Sequence, residues 1–124
     1  MKTAIWVIVN CKSLAEAQTI GEAVVAKRLA ACFDVWLRQA SGYFWPPRSG
    51  QLERGQGTTL VLTTTPTRVR AIERVVKQLH SDQVPFFGSV RVGHLSRAYA
   101  NWLRHELREH GHDKETGSNK APDR

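Results

Sequence analysis

The apolar run from Ala4 to Val9, A-I-W-V-I-V, and the S-L-A-E segment from Ser13 to Glu16 together set the beginning of the fold. A continuous apolar run rich in β-branched residues is typical of a strand that is covered on both faces. Serine followed three residues later by glutamate is a capping box, which predicts that a helix begins there. The run is too short for a membrane span, and we predict a buried first strand rather than a signal peptide.

The next segment predicts a long hairpin. Polar and apolar residues alternate from Phe33 to Leu37, and the alternation can be extended through Trp45, which predicts an unusually long second strand. Residues P-P-R-S-G, from Pro46 to Gly50, supply the turn chemistry that ends this strand. The Thr, Leu and Val residues of Thr58–Thr64 predict a third strand that pairs back on the second.

The second half of the chain repeats the pattern of helix and strand. Thr65 and Pro66 are typical of a helix start, and apolar residues then recur at helical spacing from Val69 to Leu79. The segment Phe86–Val92 predicts a fourth strand, and Ser96 predicts the cap of a last helix. The order β-α-β-β-α-β with an added C-terminal helix predicts an α+β, ferredoxin-like sandwich, in which both helices cover one face of an antiparallel sheet.

The length and the tail suggest a simple domain organisation. The chain has 124 residues, the size of one domain. We predict a folded domain over residues 1–109 and a disordered polar tail over residues 110–124, because that tail cannot bury enough apolar surface to offset the entropy of ordering. The long second strand would project past the domain, and an exposed strand edge usually pairs with another chain. The pattern therefore predicts an oligomer.

The chain is strongly basic, with 18 Lys and Arg against 11 Asp and Glu and a net charge of +7. Residues 1–103 hold thirteen of these cations and six of the anions, so the charge belongs to the folded body. A basic surface attracts nucleic acid, anionic membranes or acidic ligands. Arg70, Arg74 and Lys77 form a stripe on the second predicted helix, which could follow a phosphate backbone or could simply be the solvated face.

Three consecutive aromatic residues, Tyr43, Phe44 and Trp45, end the predicted second strand. Such residues could stack on nucleic-acid bases, or they could pack in a subunit interface, where Tyr and Trp are enriched. The extension of the strand beyond the domain favours the interface.

Few residues form a motif with a known chemistry. Cys11 and Cys32 do not make a disulfide framework, which favours a cytoplasmic protein with reduced thiols. The segment from His105 to His110 is similar to the zinc motif H-E-x-x-H, but the second histidine comes one residue too late to share a metal. No spacing typical of a catalytic triad or of a nucleotide-binding loop is present, so no enzymatic activity is predicted.

Five segments in order resemble the CutA family of divalent-cation tolerance proteins, and the resemblance extends over about residues 4 to 107. They are the A-K-R-L-A-A-C segment of Ala26–Cys32, the S-G-Y-F-W of Ser41–Trp45, the L-T-T-T of Leu62–Thr65, the pair Leu79-His80 followed by Val84-Pro85, and the Y-A-N-W-L of Tyr99–Leu103. The resemblance implies a ferredoxin-like protomer in a tight, cytosolic homotrimer. It also implies a role in the tolerance of copper and other divalent metals, without an established catalytic activity, and a ligand cleft between subunits like that of PII signalling proteins.

The resemblance also suggests where a metal would bind. His80 would be a neutral imidazole ligand, with Cys11 and Asp82 as weaker thiolate and carboxylate ligands, in a site that suits copper or zinc. The acidic residue that the family has after the proline is Phe86 here, which removes one potential ligand. Other aromatic residues that the resemblance places in the interface or the cleft wall are Tyr43, Trp45 and Trp102.

Two functions follow as hypotheses. The first is a CutA-like homotrimer that binds a metal ion or a small, anionic ligand in the clefts between subunits. The alternative is a nucleic-acid- or anion-binding module on the same fold, which includes a PII-like sensor of small ligands. The positive charge, roughly +21 for three subunits, fits anions better than bare cations.

Overall fold

The computed structural model describes residues 3–107 and confirms the predicted α+β, ferredoxin-like fold. The elements in chain order are β1 (Ala4–Cys11), α1 (Leu14–Ala26), β2 (Cys32–Phe44), β3 (Leu52–Thr64), a single 3-10 turn (Pro66–Arg68) leading into α2 (Val69–Leu79), β4 (Phe87–Val92) and α3 (Arg97–Glu106). The predicted boundary between a domain and a tail at residues 109 and 110 lies outside the described residues.

The strands form one antiparallel sheet in the order β2-β3-β1-β4. The central strands β1 and β3 pair from Ile5 with Thr64 to Cys11 with Thr58, so the end of β1 lies halfway along β3. Beyond that point β2 and β3 continue together as a hairpin, and no other strand within residues 3–107 pairs with them. The part of this hairpin formed by residues 41–56 is called the outer half below, and residues 32–38 with 57–64 are the inner half.

The main core lies between one face of the sheet and the helices α1 and α2. Alternate residues of β1, which are Ile5, Val7, Val9 and Cys11, point to this face because side chains alternate along a strand. They pack with Leu60 and Leu62 of β3 and with apolar residues of both helices, including Ile20, Val24, Ile72 and Val76. The helices therefore lie together on one face of the sheet, as the sequence pattern predicted.

The other face of the sheet is only partly covered. Trp6 and Trp36 lie there edge to face, with their ring centroids 5.8 Å apart, and Trp36 remains 49 % exposed. The helix α3 covers one end of this face, where Leu103 and Leu107 pack against Ala4. The remainder of the face is left without a covering layer in the part of the chain that the structure describes.

Two arginines attach α3 to the rest of the domain. Arg28 donates a hydrogen bond of 2.8 Å to the carbonyl oxygen of Glu106, and Arg68 donates to the carbonyl oxygen of Leu107. Tyr99 and Trp102 pack edge to face on α3, with centroids 5.4 Å apart. Trp102 is thus half-buried beside Tyr99.

The structure extends several of the predicted elements. The long second strand is confirmed, but β3 begins at Leu52 rather than at Thr58, because the outer half of β2 pairs with it. The first strand reaches Cys11, and the fourth begins at Phe87. Thr65 does not cap the following turn through its side chain, which instead accepts a hydrogen bond from Arg68.

Candidate functional site

A pocket of about 640 Å³ opens between the outer half of the hairpin and the loop that follows α2. Its floor is the end of β1, from Asn10 to Lys12, because β1 ends where the two hairpin strands continue without it. One wall is formed by Arg38 and by hairpin residues between 41 and 56, and the other by residues 81–84 and 86. The fold thus creates the pocket at the point where a three-strand ladder becomes a two-strand ribbon.

Arg38 is fixed where the hairpin wall meets the floor of this pocket. Its guanidinium donates to the carbonyl oxygens of Thr58, at 3.3 Å, and of Cys11, at 3.0 Å. Gly57 makes this position possible, because a Cβ atom there would lie 2.5 Å from the Arg38 Nη2 atom and 2.6 Å from the Cys11 carbonyl oxygen. Lys12, which is exposed, also lines the pocket, so two cationic residues line it.

An aromatic wall faces these cations. Tyr43, Phe44 and Trp45 line the pocket on the hairpin side, and Phe86 lines it on the loop side. Phe44 is 67 % exposed and Phe86 54 %, which is unusual for aromatic side chains in a single chain. The aromatic triplet of the sequence therefore combines an apolar pocket wall with a large exposed apolar surface.

His80 lies behind the loop wall, and its ring is almost completely buried. The Nε2 atom is 2.7 Å from the carbonyl oxygen of Asn10, and the Nδ1 atom accepts a hydrogen bond of 3.0 Å from the backbone N–H of Asp82. A carbonyl oxygen can only accept, so the proton of a neutral imidazole lies on Nε2. Both ring nitrogens of His80 are therefore engaged with the backbone.

Glu16 lies next to His80, with one carboxylate oxygen 3.9 Å from Nδ1 of the ring. Ser13 caps α1 as the sequence predicted, because its hydroxyl accepts from the N–H of Glu16. The Glu16 carboxylate does not return to Ser13, as a capping box would have it. It accepts instead from the backbone N–H of Lys12 at 2.9 Å and of Ser81 at 2.7 Å.

Electrostatics distinguish the thiol of Cys11 from the carboxyl group of Glu16. Burial and the neighbouring Glu16 charge raise the pKa of Cys11 to about 12, so the thiol keeps its proton at neutral pH. Burial also opposes the ionisation of Glu16, but hydrogen bonds from Lys12 and Ser81 outweigh it and lower the pKa of that carboxyl group. The carboxylate is thus charged and held by hydrogen bonds, whereas the thiol is neutral.

The side chains of Cys11, Glu16 and His80 bring a thiol, a carboxylate and an imidazole within 4.8 Å of one another. These are donor types that zinc and copper accept. In this arrangement, however, the donors are engaged elsewhere. The Cys11 thiol keeps its proton and both ring nitrogens of His80 have backbone partners, so a metal ion would have to release that proton and displace the N–H of Asp82 from Nδ1.

The predicted site residues are brought together only in part. Cys11 and His80 are neighbours, whereas Asp82 reaches the group through its backbone N–H, and its exposed side chain lines the pocket. Tyr43 and Trp45 line the pocket wall. Trp102 is on α3 and is not among the lining residues, so only its assignment to an interface remains a prediction.

Three residues of this region carried no functional signal in the sequence. In the sequence, Glu16 is only the last residue of a capping box, and Lys12 and Arg38 belong to no motif. A tight glycine at position 57, opposite Arg38 in the hairpin, is the one sequence feature that could have drawn attention to the pocket. Its meaning depends on the strand register, which the sequence does not specify here.

Comparisons with known proteins agree on one family. Residues 5–106 match the model of the family described as "CutA1 divalent ion tolerance protein". The chain is 30 % identical over 106 residues to the "Divalent-cation tolerance protein CutA" of Escherichia coli strains, a match that spans 86 % of this chain and 92 % of the relative. It is 26 % identical over 96 residues to "Protein CutA homolog" of Danio rerio, spanning 77 % of this chain and 62 % of that relative.

A solved structure with a similar fold belongs to the same family. The structure of "Divalent cation tolerance protein (Cut A1)" from Thermus thermophilus superimposes with a TM-score of 0.78 at 30 % identity, and the match covers 85 % of this chain and 99 % of that one. The family model covers most of the chain, and its bounds contain all the strands and helices except the first residue of β1. The chain belongs to the CutA1 divalent ion tolerance family.

Proposed function

We propose that this CutA1-family protein acts in divalent-cation tolerance as a homotrimer, and that it binds a small anionic ligand in the pocket beside the hairpin. The observation that supports the ligand class most directly is the pair of cations, Lys12 and Arg38, against an aromatic wall. Arg38 is held in place before any ligand arrives, which reduces the entropy lost on binding. A guanidinium is also the side chain best suited to carboxylate and phosphate groups.

The assembly is supported by the exposed apolar surface of the hairpin. Leu37 is 74 % exposed, Phe44 67 % and Leu52 49 %, and β2 is an edge strand of the sheet. An apolar edge of this kind favours pairing with a second copy. The number of three subunits rests on the family resemblance. A second subunit against the outer half would also close the open side of the pocket, which makes the cleft an intersubunit one.

A direct site for copper or another divalent metal at His80, Cys11 and Asp82 has less support. The name of the family and the proximity of Cys11, Glu16 and His80 favour it, but the donor atoms are already engaged. Cation tolerance through a small anion is chemically simpler, because polycarboxylates and phosphates coordinate divalent cations themselves. In this form of the proposal, the protein binds the anion or its metal complex rather than the bare ion.

The states of Cys11 and His80 support a binding function rather than a catalytic one. Cys11 is a protonated thiol with a pKa raised to about 12, and His80 has no free nitrogen, so neither is poised as a nucleophile or a general base. A cytoplasmic location is part of the proposal, and two free cysteines favour a reducing compartment. Within residues 3–107, no helix is long and apolar enough to span a membrane.

Isothermal titration with phosphate, citrate and ATP tests the proposed ligand class. We expect at least one of these anions to bind, and the Lys12→Ala variant to bind it about tenfold more weakly, because one of the two pocket cations is lost. Lys27→Ala is the matched control, since Lys27 is exposed just after α1 and outside the pocket. If none of the three anions binds, or if both variants bind equally, the proposed ligand class is wrong.

Binding of nucleic acid remains a second candidate because of the stripe Arg70, Arg74 and Lys77. All three side chains are exposed on α2, and none makes a hydrogen bond or an ion pair within residues 3–107. Phosphate contacts of this kind weaken steeply as salt increases. A mobility shift with single-stranded RNA at low salt that disappears in an Arg70→Ala, Arg74→Ala double variant would favour this function, and no shift at low salt would exclude it.

A further inference from the structure

We propose that Glu16 and His80 form an internal lock in which backbone groups fill the positions that a metal ion would take, and that this lock holds the loop 81–86 as a wall of the pocket. The His80 lock is defined as these two side chains together with their backbone partners in residues 10–12 and 81–82. His80 is then a positioning residue, which acts on the pocket without lining it.

The two ends of the loop are fixed on the same residue of β1. At its beginning, the His80 ring donates from Nε2 to the carbonyl oxygen of Asn10, at 2.7 Å. At its end, the N–H of Asn10 donates to the carbonyl oxygen of Phe86, at 3.2 Å. The Asn10 side chain is itself held by a 2.9 Å hydrogen bond from Thr59 of β3. The loop is therefore attached to the centre of the sheet at both ends.

Two further hydrogen bonds fix the first turn of the loop. The N–H of Ser81 donates to the Glu16 carboxylate at 2.7 Å, and the N–H of Asp82 donates to Nδ1 of His80 at 3.0 Å. The other oxygen of the Glu16 carboxylate takes the N–H of Lys12, so one side chain connects the start of α1 to the loop. Every donor and acceptor of the lock thus has a partner within the protein.

The acceptor side chains of the lock are shielded from water. The side chain of His80 is 1 % exposed and that of Glu16 is 8 % exposed, although the N–H donors belong to the exposed residues Lys12, Ser81 and Asp82. A metal ion that binds Nδ1 and the Glu16 carboxylate would displace the N–H groups of Asp82 and Ser81, although Nε2 could keep its hydrogen bond to the carbonyl oxygen of Asn10. The ion would also have to replace the hydrogen bonds that the carboxylate receives, and hydrogen bonds to a charged group are strong. The lock therefore favours its own backbone partners over a cation.

The lock and the pocket that it shapes are separable. The metal-free lock does not depend on the proposed function, whereas its effect on ligand binding does. The loop wall presents Asp82, Val84 and Phe86 to the pocket. If the lock opens, this wall is released while Lys12 and Arg38 stay in place, because Arg38 is held by Thr58 and Cys11 instead.

The first experiment uses the imidazole signals of the full chain with zinc as the probe. His110→Ala and His112→Ala are introduced in all samples to remove ligands beyond the described residues. We expect a long-range ¹H–¹⁵N spectrum to show the His80 proton on Nε2, and one equivalent of zinc to leave that signal unchanged. A His80 signal that moves or loses its proton as zinc is added would overturn the lock, and this result needs no destabilised variant.

The second experiment measures hydrogen exchange at the amides of Ser81 and Asp82. In His80→Ala we expect both amides to exchange at least about tenfold faster, with unchanged exchange at Leu60 and Leu62 in the core. His80→Gln can still donate from Nε2 and accept at Oε1, so it should restore part of the protection. His94→Ala, at an exposed histidine outside the lock, is the control.

The outcomes distinguish the lock from the proposed function. Equal exchange in wild type and His80→Ala would show that His80 does not position the loop. Protected amides in a wild-type protein that binds no anion would leave the lock intact and contradict only the ligand class. If an anion binds, we expect His80→Ala to weaken it about tenfold and His80→Gln to weaken it less.

Discussion

The inner and outer halves of the β2–β3 hairpin are parts of the same two strands, yet they have opposite surroundings. Residues 57–64 of β3 are buried throughout, whereas residues 52–56 are exposed or half-buried. The change occurs at Gly57, where β1 ends and Arg38 crosses the strand. The inner half is stabilised by the core of its own chain, whereas the apolar side chains of the outer half belong to neither core cluster of residues 3–107. The difference indicates that the outer half is built for contact with something else.

Truncation of a core residue in the inner half should have the largest effect. Leu62 is fully buried between the sheet and the helices, so Leu62→Ala removes apolar contacts and leaves a cavity. We expect a loss of about 2–5 kcal/mol in the free energy of unfolding, measured with urea. Leu52→Ala, in the outer half, should cost much less at low protein concentration. Equal losses for the two variants would mean that the halves are not stabilised differently.

A methyl group at position 57, where the inner and outer halves meet, should have the next largest effect on stability. Gly57→Ala places a Cβ atom against Arg38 and the Cys11 carbonyl oxygen, at 2.5 and 2.6 Å. We expect it to destabilise the protein by about 1–3 kcal/mol, as overpacking does, and to weaken anion binding because Arg38 is displaced. Gly55→Ala is the matched control, since a Cβ atom there meets nothing within 4 Å. A harmless Gly57→Ala would contradict the fixed position of Arg38.

A charge at the border of the outer half should affect association more than folding. Leu37 is 74 % exposed where the two halves meet, and its side chain is the most exposed large apolar one in the described chain. We expect Leu37→Asp to weaken self-association at least tenfold, which corresponds to about 1.4 kcal/mol, as measured by sedimentation velocity. Leu14→Asp, at another exposed leucine on α1, should associate as wild type does. If Leu37→Asp associates as strongly as wild type, the surface around Leu37 is not part of the subunit interface.

The sequence predicted the inner half better than the outer half, for a physical reason. The apolar run of Ala4–Val9 and the Thr, Leu and Val residues of Thr58–Thr64 are typical of strands, and the structure contains both. Residues 52–57, L-E-R-G-Q-G, are polar with two glycines and carry no strand pattern, but they form a strand because β2 pairs with them. Pairing with β2, rather than local strand propensity, makes this segment a strand.

The same limit applies to the candidate site. Family resemblance placed Cys11 and His80 together, and the structure agrees. It could not predict that the Glu16 carboxylate accepts from Ser81, because those residues are 65 positions apart and Glu16 already has a local role in a capping box. Long-range hydrogen bonds between a side chain and the backbone leave no periodicity in a sequence. The contacts that turn a predicted metal site into a lock are of this kind.

The smallest predicted effect, over the range from pH 7.5 to pH 10, concerns the alkaline side of the stability curve. Cys11 ends β1 at the junction of the two halves, and burial raises the pKa of its thiol to about 12. The unfolded chain releases this proton near its ordinary pKa of about 8.5–9, so above that pH the unfolded state binds fewer protons than the folded state. Stability should therefore fall between about pH 9 and pH 12, by at most about 1.4 kcal/mol per pH unit from this group. Below about pH 8 both states hold the proton, so this loss is absent.

Urea titrations of Cys11→Ala and wild type at pH 7.5, 9 and 10 test this. We expect the free energy of unfolding of Cys11→Ala to depend less steeply on pH than that of wild type. Parallel slopes for the two proteins would show that the thiol is solvated, and that the floor of the pocket is open to water rather than sealed by the inner half.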